Sequence, residues 1–253
     1  MSYKEHLKKT AAKIKTRNNL LSKLAGSTWG ANAETLRTAA LALSYSVGEY
    51  CSPVWSRSAH ASSINVALNQ TMRIVSGTLR PTPVEWLPVL CNIAPPHLRR
   101  KAAAYTLIGK VTEKEDWGLH SDVLDHPKLR LKSRHPLWLE MESVDIPARW
   151  REEWQSAMVF NHDLVDDPAI QLPGFELPRR EWSTLNRFRT GQGRCAACLM
   201  RWGLSDSDLC ECGSTQTMMH IVNDCILSRL DGGMMSLHKA DDVARQWLAQ
   251  HRA

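Results

Sequence analysis

Three cysteines and one histidine fall within sixteen residues as Cys210, Cys212, His220 and Cys225. Thiolate and imidazole are donors that zinc takes in closed four-coordinate sites, and three thiols with one imidazole complete one such shell. Residues two apart in an extended segment face the same side, so Cys210 and Cys212 can reach one ion together. Gly213 follows directly and permits the tight turn that folds the chain back over the metal. The spacing from His220 to Cys225 suits the last two ligands of a small zinc module, and a helical turn there would aim both side chains inward. Met218, Met219, Ile221, Val222 and Asp224 would cover the site. The competing reading is ordinary thiols beside a surface histidine, since cysteine is often buried without any role. With four protein donors and no open position, the expected ion is a structural Zn²⁺. Cys195 and Cys198 form a second candidate pair. They rank behind, because Arg201 and Trp202 continue a helix on which thiols three apart simply pack.

Cations form the second set of candidates. Residues 1–24 hold Lys4, Lys8, Lys9, Lys13, Lys15, Arg17 and Lys23 against Glu5 alone, while the whole chain carries a formal charge of +6, so the remainder balances near zero. Lys8, Lys9, Lys13, Lys15 and Arg17 are expected contacts for a polyanion, although a solvated face on a packed helix would look the same. Arg99, Arg100 and Lys101 lie in the first turns of a predicted helix, where they oppose its dipole and invite an anion such as phosphate. Arg179, Arg180, Arg187, Arg189, Arg194 and Arg201 interleave with Trp182, Phe188 and Trp202. That mixture suits an RNA or single-strand surface, in which guanidinium pairs with phosphate and flat groups stack on bases. A packed core with a solvated face is the plainer explanation. A further basic patch is Lys128, Arg130, Lys132 and Arg134.

The elements that must position these groups read as helices. Leu7, Ile14, Leu20, Leu21 and Leu24 mark a stripe on an opening helix that stops at Gly26. A second helix covers about 33–50, with Asn32 as N-cap and Pro53 closing it, and a third covers about 59–75 and ends at Gly77. Short turns join them into a bundle. Pro95 and Pro96 can start the next helix, and another carries Trp150 and Trp154. The expected class is all-α, a multi-helix bundle followed by a small zinc-knuckle lobe. Residues 1–165 make the bundle and connection, the proline-rich 166–178 a linker, and 179–253 the arginine-rich helix and knuckle.

At 253 residues the chain can bury a real core. It has no apolar run of membrane-spanning length, and its first residues lack the apolar core of a signal peptide. Seven cysteines without an evident disulfide framework point to a reducing intracellular compartment, nucleus or cytoplasm. The ten histidines are scattered, and no Ser-His-Asp, HExxH or glycine-loop signature argues for a hydrolase.

Several stretches together resemble the carboxy-terminal part of a jockey-like non-LTR retrotransposon reverse transcriptase. They include Leu20 to Leu24 with Ala25-Gly26, Thr28-Trp29-Gly30-Ala31, and Leu36-Arg37-Thr38-Ala39-Ala40-Leu41-Ala42-Leu43. Glu49-Tyr50-Cys51-Ser52-Pro53-Val54-Trp55, Gly77-Thr78-Leu79-Arg80-Pro81-Thr82-Pro83, Trp86-Leu87-Pro88-Val89-Leu90 and Asn92-Ile93-Ala94-Pro95-Pro96 continue the series. Leu185-Asn186-Arg187-Phe188-Arg189-Thr190-Gly191 and the Cys-Cys-His-Cys spacing complete it. The resemblance covers nearly the whole chain. It implies a thumb that grips template and primer, a connecting region, and a knuckle that helps hold RNA and DNA, the chain being either a truncated or degenerate copy or a fragment of a longer product that supplies the fingers and palm.

A polymerase palm needs carboxylates for two metal ions, one in an aromatic-x-Asp-Asp turn. Asp166-Asp167 has Leu164 where the aromatic belongs, and Asp241-Asp242 has Lys239. The expected function is therefore non-catalytic binding of RNA, DNA or their hybrid. The alternative is a zinc-stabilised helical protein-interaction module derived from a mobile element.

Overall fold

The computed structural model describes residues 3–26, 29–125, 143 and 145–251, so the basic patch of Lys128, Arg130, Lys132 and Arg134 lies outside them. Among the described residues the fold is all-α. Its one β feature is an isolated antiparallel bridge between Leu209 and Thr215. No described helix is long and apolar enough to cross a membrane.

Helix α1 (Lys4–Leu24) buries Leu7, Thr10, Ile14, Asn18 and Leu21, the three- and four-residue steps of one helical face. Leu20 and Leu24, expected on that stripe, stand 44% and 43% exposed instead, one position off the buried line. Helix α2 (Ala33–Ala40) starts at Asn32, whose side chain accepts a hydrogen bond from the Thr35 amide at 3.0 Å. The helix then widens into a π turn, Leu41–Tyr45, before α3 (Ser46–Glu49). Pro53 does not close this helix. It sits in the first turn of a separate short one, α4 (Ser52–Trp55), where its missing N–H costs nothing. Helix α5 (Ser62–Ser76) packs against α1 and α2 and stops at Gly77, φ +70°.

Leu7, Ile14, Leu21, Leu36, Tyr45, Ile64, Leu68 and Met72 share the core of this bundle. A polar cluster centred on Asn18 sits among them. Asn18 donates to the Ala67 carbonyl at 3.1 Å and accepts from the Ser44 and Thr71 hydroxyls at 3.0 and 2.7 Å. A buried amide is tolerated when its hydrogen-bonding capacity is used, and this arrangement fixes α1 against both neighbours.

A second core joins α6 (Trp86–Cys91), α7 (Pro96–Glu113) and α9 (Ile146–Gln155); the short α8 (His120–Leu124) packs on α7. Trp86 and Trp154 meet edge to face at 5.0 Å. The segment 166–178 is packed along its length: Leu172 belongs to this second core, while Phe175 and Leu177 belong to a third.

That third core gathers α10 (Arg179–Thr190), α12 (Gly233–Lys239) and α13 (Asp242–Gln250) around Trp182, Leu185, Phe188, Leu237 and Trp247. The short α11 (Ala196–Arg201) adds Cys198. Helix α10 seats on the end of α5. Asn186 donates to the Ser76 carbonyl at 2.9 Å, and the Trp182 indole reaches the Val75 carbonyl at 3.3 Å. Gly77 makes that approach possible, since a Cβ there would overlap the Ser183 hydroxyl.

Candidate metal centre and its surroundings

Cys210 and Cys212 lie on a tight hairpin. The Cys210 amide donates to the Ser214 carbonyl at 2.8 Å, and Gly213, at φ +90°, returns its own amide to the Cys210 carbonyl at 2.9 Å. Only glycine takes that backbone angle without strain. His220 opens a π turn, His220–Asp224, whose hydrogen bond runs from the Cys225 amide to the His220 carbonyl at 2.8 Å. The wider turn has a chemical reason. In an α-helix, at about 100° per residue, positions five apart point about 140° away from each other. A turn closed between residues i and i+5 brings them back toward one side.

The four donor atoms lie within 4.8 Å of one another, and the group could hold one metal ion. The Cys210 and Cys225 sulfurs are 3.7 Å apart, against about 3.8 Å for the edge of a tetrahedron with Zn–S bonds near 2.3 Å. Cys212 Sγ and His220 Nε2 stand at 3.1 Å, about half an ångström tighter than the corresponding mixed edge. His220 and Cys225 are buried, while Cys210 and Cys212 are partly exposed. A hydrogen bond from the Cys212 amide brings the Cys210 thiol down to about 6, so thiolate is present at neutral pH. The Ser214 amide pulls the Cys212 thiol the same way, yet desolvation and the neighbouring sulfurs leave it raised. One thiolate forms readily and the next resists a second negative charge, which is how a thiol cluster behaves before a cation joins it.

Gln216 carries no signal of its role in the sequence. Its side-chain amide donates to Cys210 Sγ at 3.6 Å, and its oxygen accepts from the Ala196 amide at 2.9 Å. Its backbone carbonyl accepts from the Ala197 amide at 3.1 Å. One residue thereby orients a donor sulfur and ties the hairpin to α11. The π turn is held in the same manner. Asn223 accepts from the Met234 amide at 2.8 Å, and the Leu230 amide donates to the Val222 carbonyl at 2.9 Å. Met218 and Val222 are fully buried in the third core. The centre is one edge of the α10–α13 unit and shares its core.

Cys195 and Cys198 stand apart from this cluster. Both are buried, Cys195 at the start of α11, and desolvation pushes its thiol up to about 11.

The cations divide into two classes. Lys8, Lys9, Lys13, Lys15 and Arg17 are all exposed on α1. Two grooves flank that helix. One, of 940 Å³ between α1 and α5, is lined by Lys15, Arg73 and Arg80, by uncharged polar groups and by apolar ones such as Val66 and Ile74. The other, of 550 Å³, holds His6, Lys13, Arg17 and the exposed ring of Tyr50. Among the described residues no carboxylate lines either. Arg73 gives one nitrogen to the Thr82 carbonyl at 3.1 Å, and burial and Arg80 lower its pKa.

Inside the fold the expectation of phosphate contacts needs correction. Arg189 is 0% exposed and bonds the Pro173 and His238 carbonyls, Asn186 Oδ1 and His238 Nδ1 at 2.7 to 3.1 Å. Burial lowers its pKa to about 9. Arg179, lowered by burial to about 10, reaches the Val75 and Ile74 carbonyls at 2.6 and 2.5 Å. Arg100 is buried against Asn65 Oδ1 at 2.7 Å and lies over the Trp55 ring. These three guanidiniums fasten helices together. Arg99 forms a two-pronged pair with Glu49 at 2.5 and 2.8 Å. Lys101 and Arg187 are half-buried, whereas Arg180, Arg194 and Arg201 remain exposed.

The signal was present in the spacing. Counting from Trp182, Leu185, Asn186 and Arg189 fall at steps of three, four and seven, the inner face of α10.

No protein-family model matches the chain, and no curated protein or solved structure matches it.

Proposed function

We propose that this chain is a non-catalytic nucleic-acid-binding unit, of the kind that forms the carboxy-terminal part of a jockey-like non-LTR retrotransposon reverse transcriptase. It would act in the nucleus or cytoplasm beside the fingers and palm of that polymerase. The observation that carries the binding role is α1. Its outer face bears Lys8, Lys9, Lys13, Lys15 and Arg17, and it runs between two grooves lined by cations and uncharged groups. Twenty-one residues make a helix about 31 Å long, enough to follow several phosphates of one strand. The polar lining offers donors to phosphate oxygens and sugars, contacts that position a strand without reading its sequence.

In this reading Cys210, Cys212, His220 and Cys225 hold one structural Zn²⁺. Three thiolates and a neutral imidazole leave such a centre with a charge of −1. Its task is to pin the hairpin to the π turn and complete the edge of the third core. Of the α10–α11 arginines, Arg180, Arg194 and Arg201 are the ones placed to touch a polyanion.

Electrophoretic mobility shift with matched RNA, DNA and hybrid probes, with and without chelator, is the direct test. Binding should fall steeply with salt, as counterion release demands, and chelator should weaken it little because α1 lies in a different core. Absence of binding to every probe at low salt would sink the proposal.

A further inference from the structure

The surface around the metal centre differs from the rest of this basic chain. Residues 203–231 contain Asp206, Asp208, Glu211, Asp224 and Asp231 against Arg229 alone, and no Phe, Tyr or Trp. All of these carboxylate residues are exposed except Asp208, which is partly so. Four large apolar side chains stand among them: Leu204 is 71% exposed, Leu209 58%, Ile226 78% and Leu227 61%. Leu209 precedes Cys210 and Ile226 follows Cys225, and those two sulfurs are 3.7 Å apart. Leu209 and Ile226 therefore flank the metal centre as near neighbours. The backbone beneath them is firm. Trp247 of α13 donates to the Ser228 carbonyl at 2.6 Å, and Ser228 Oγ donates to the Ile221 carbonyl at 2.9 Å.

Nucleic acid is a poor match for this surface. It supplies phosphates, which the carboxylates repel, and bases, which ask for aromatic or guanidinium planes. Exposed apolar groups rimmed by charge are instead the make-up of a protein interface. We propose that the knuckle face, anchored by Leu209, Ile226 and Leu227, docks a protein segment that is basic and amphipathic. Apolar side chains of the partner would cover the three anchors, and its lysines and arginines would face Asp206, Asp208, Glu211 and Asp224. Charge complementarity of this kind sets orientation and encounter rate, while the apolar contact sets lifetime. Arg194 precedes α11, and Arg201, at its end, is turned toward Cys198 Sγ at 3.1 Å. The inference stands independently of the nucleic-acid role of α1.

The test uses the full chain loaded with zinc and a labelled amphipathic peptide with lysine and arginine on one face and leucine on the other. Fluorescence anisotropy should show saturable binding to the peptide and none to its glutamate-for-lysine counterpart. Replacing Leu209, Ile226 and Leu227 together by serine should weaken peptide binding about tenfold or more, the scale of losing central anchors. Zinc content should stay at one per chain, since all three side chains are exposed. A second variant, Asp206→Asn, Asp208→Asn, Glu211→Gln and Asp224→Asn, should lose affinity at low salt and differ little at high salt. Both variants should bind single-stranded RNA as the parent does. Failure of the parent to bind the peptide, or equal binding by the serine variant, overturns the proposal. Loss of RNA affinity in the serine variant would assign the face to nucleic acid instead.

Discussion

Helix α1 shows solvent a row of lysines and buries Leu7, Ile14 and Leu21 in the bundle core. The hairpin and π turn show solvent the carboxylates of Asp206, Glu211 and Asp224 and bury Met218 and Val222 in the core of α10–α13. A polyanion would be drawn to the first surface and repelled by the second. Their support differs too. α1 is locked by apolar packing and by Asn18, a group that needs no ion. The hairpin and π turn meet at four donor atoms, and the thiols among them repel one another once ionised. One surface is held by burial, and the other is built around four donors that could hold a cation.

Removing the cation is the strongest way to break that contrast. Zinc binding in small modules contributes on the order of 10 kcal/mol to folding, so Cys210→Ser should abolish stoichiometric metal and loosen the hairpin, π turn and α12. Hydrogen exchange should show this loss with α1 and α5 still protected. Equal loss of protection in α1 would mean that the two regions share one stability. Cys195→Ser with Cys198→Ser is the control and should leave metal content at one per chain.

Arg189→Ala comes next. It strands the partners of a fully buried guanidinium and should cost about 3–5 kcal/mol in denaturant unfolding. RNA affinity per folded molecule should not change, because this arginine meets only protein. A folded, fully stable variant with weakened RNA binding would return Arg189 to the surface.

Substituting Lys8, Lys9, Lys13 and Lys15 by glutamine should do the opposite. Stability should move by less than about 0.5 kcal/mol. The salt dependence of RNA binding should flatten by roughly 0.7 in log–log slope for each phosphate that is no longer neutralised. An unchanged slope would remove α1 from the binding surface.

A further effect concerns pH. Burial, and then Arg189, lower the pKa of His238 to about 4, and the ring accepts from Arg189 Nε through Nδ1 at 3.1 Å. The unfolded chain takes up that proton near pH 6.5 and the folded chain does not, so stability should fall as pH drops from about 6.5 toward 4. His238→Asn keeps an acceptor for Arg189 and should show a shallower fall in urea midpoint across that window. Identical slopes in parent and variant would show that His238 titrates alike in both states.

Much of this architecture is readable from spacing alone. The steps Leu7, Ile14, Leu21 and the stops at Gly77 and Gly191 follow from helical period and the left-handed backbone that glycine accepts. The four donors can be chosen because thiol and imidazole at those intervals have few other uses. What the spacing of residue types does not supply is which arginines turn inward. Residue type favours the surface for guanidinium, and only the phase set by Trp182 and Leu185 moves Arg189 inside. Gln216 leaves no mark at all, since an amide that supports a sulfur has the same composition as one in solvent. The two π turns are hidden for a related reason: one extra residue hardly disturbs an apolar stripe read over a few turns.

That extra residue has a consequence for which length changes this chain can accept. A substitution at Asn223 would loosen the turn, but deleting one residue between His220 and Cys225 would let the backbone close with four-residue spacing. The Cys225 amide would then close on the same His220 carbonyl in an ordinary α-turn, with the two donors turned from the directions they take in the π turn. The interval is a counted length, and its tolerance of insertions and deletions should be far lower than its tolerance of changed side chains.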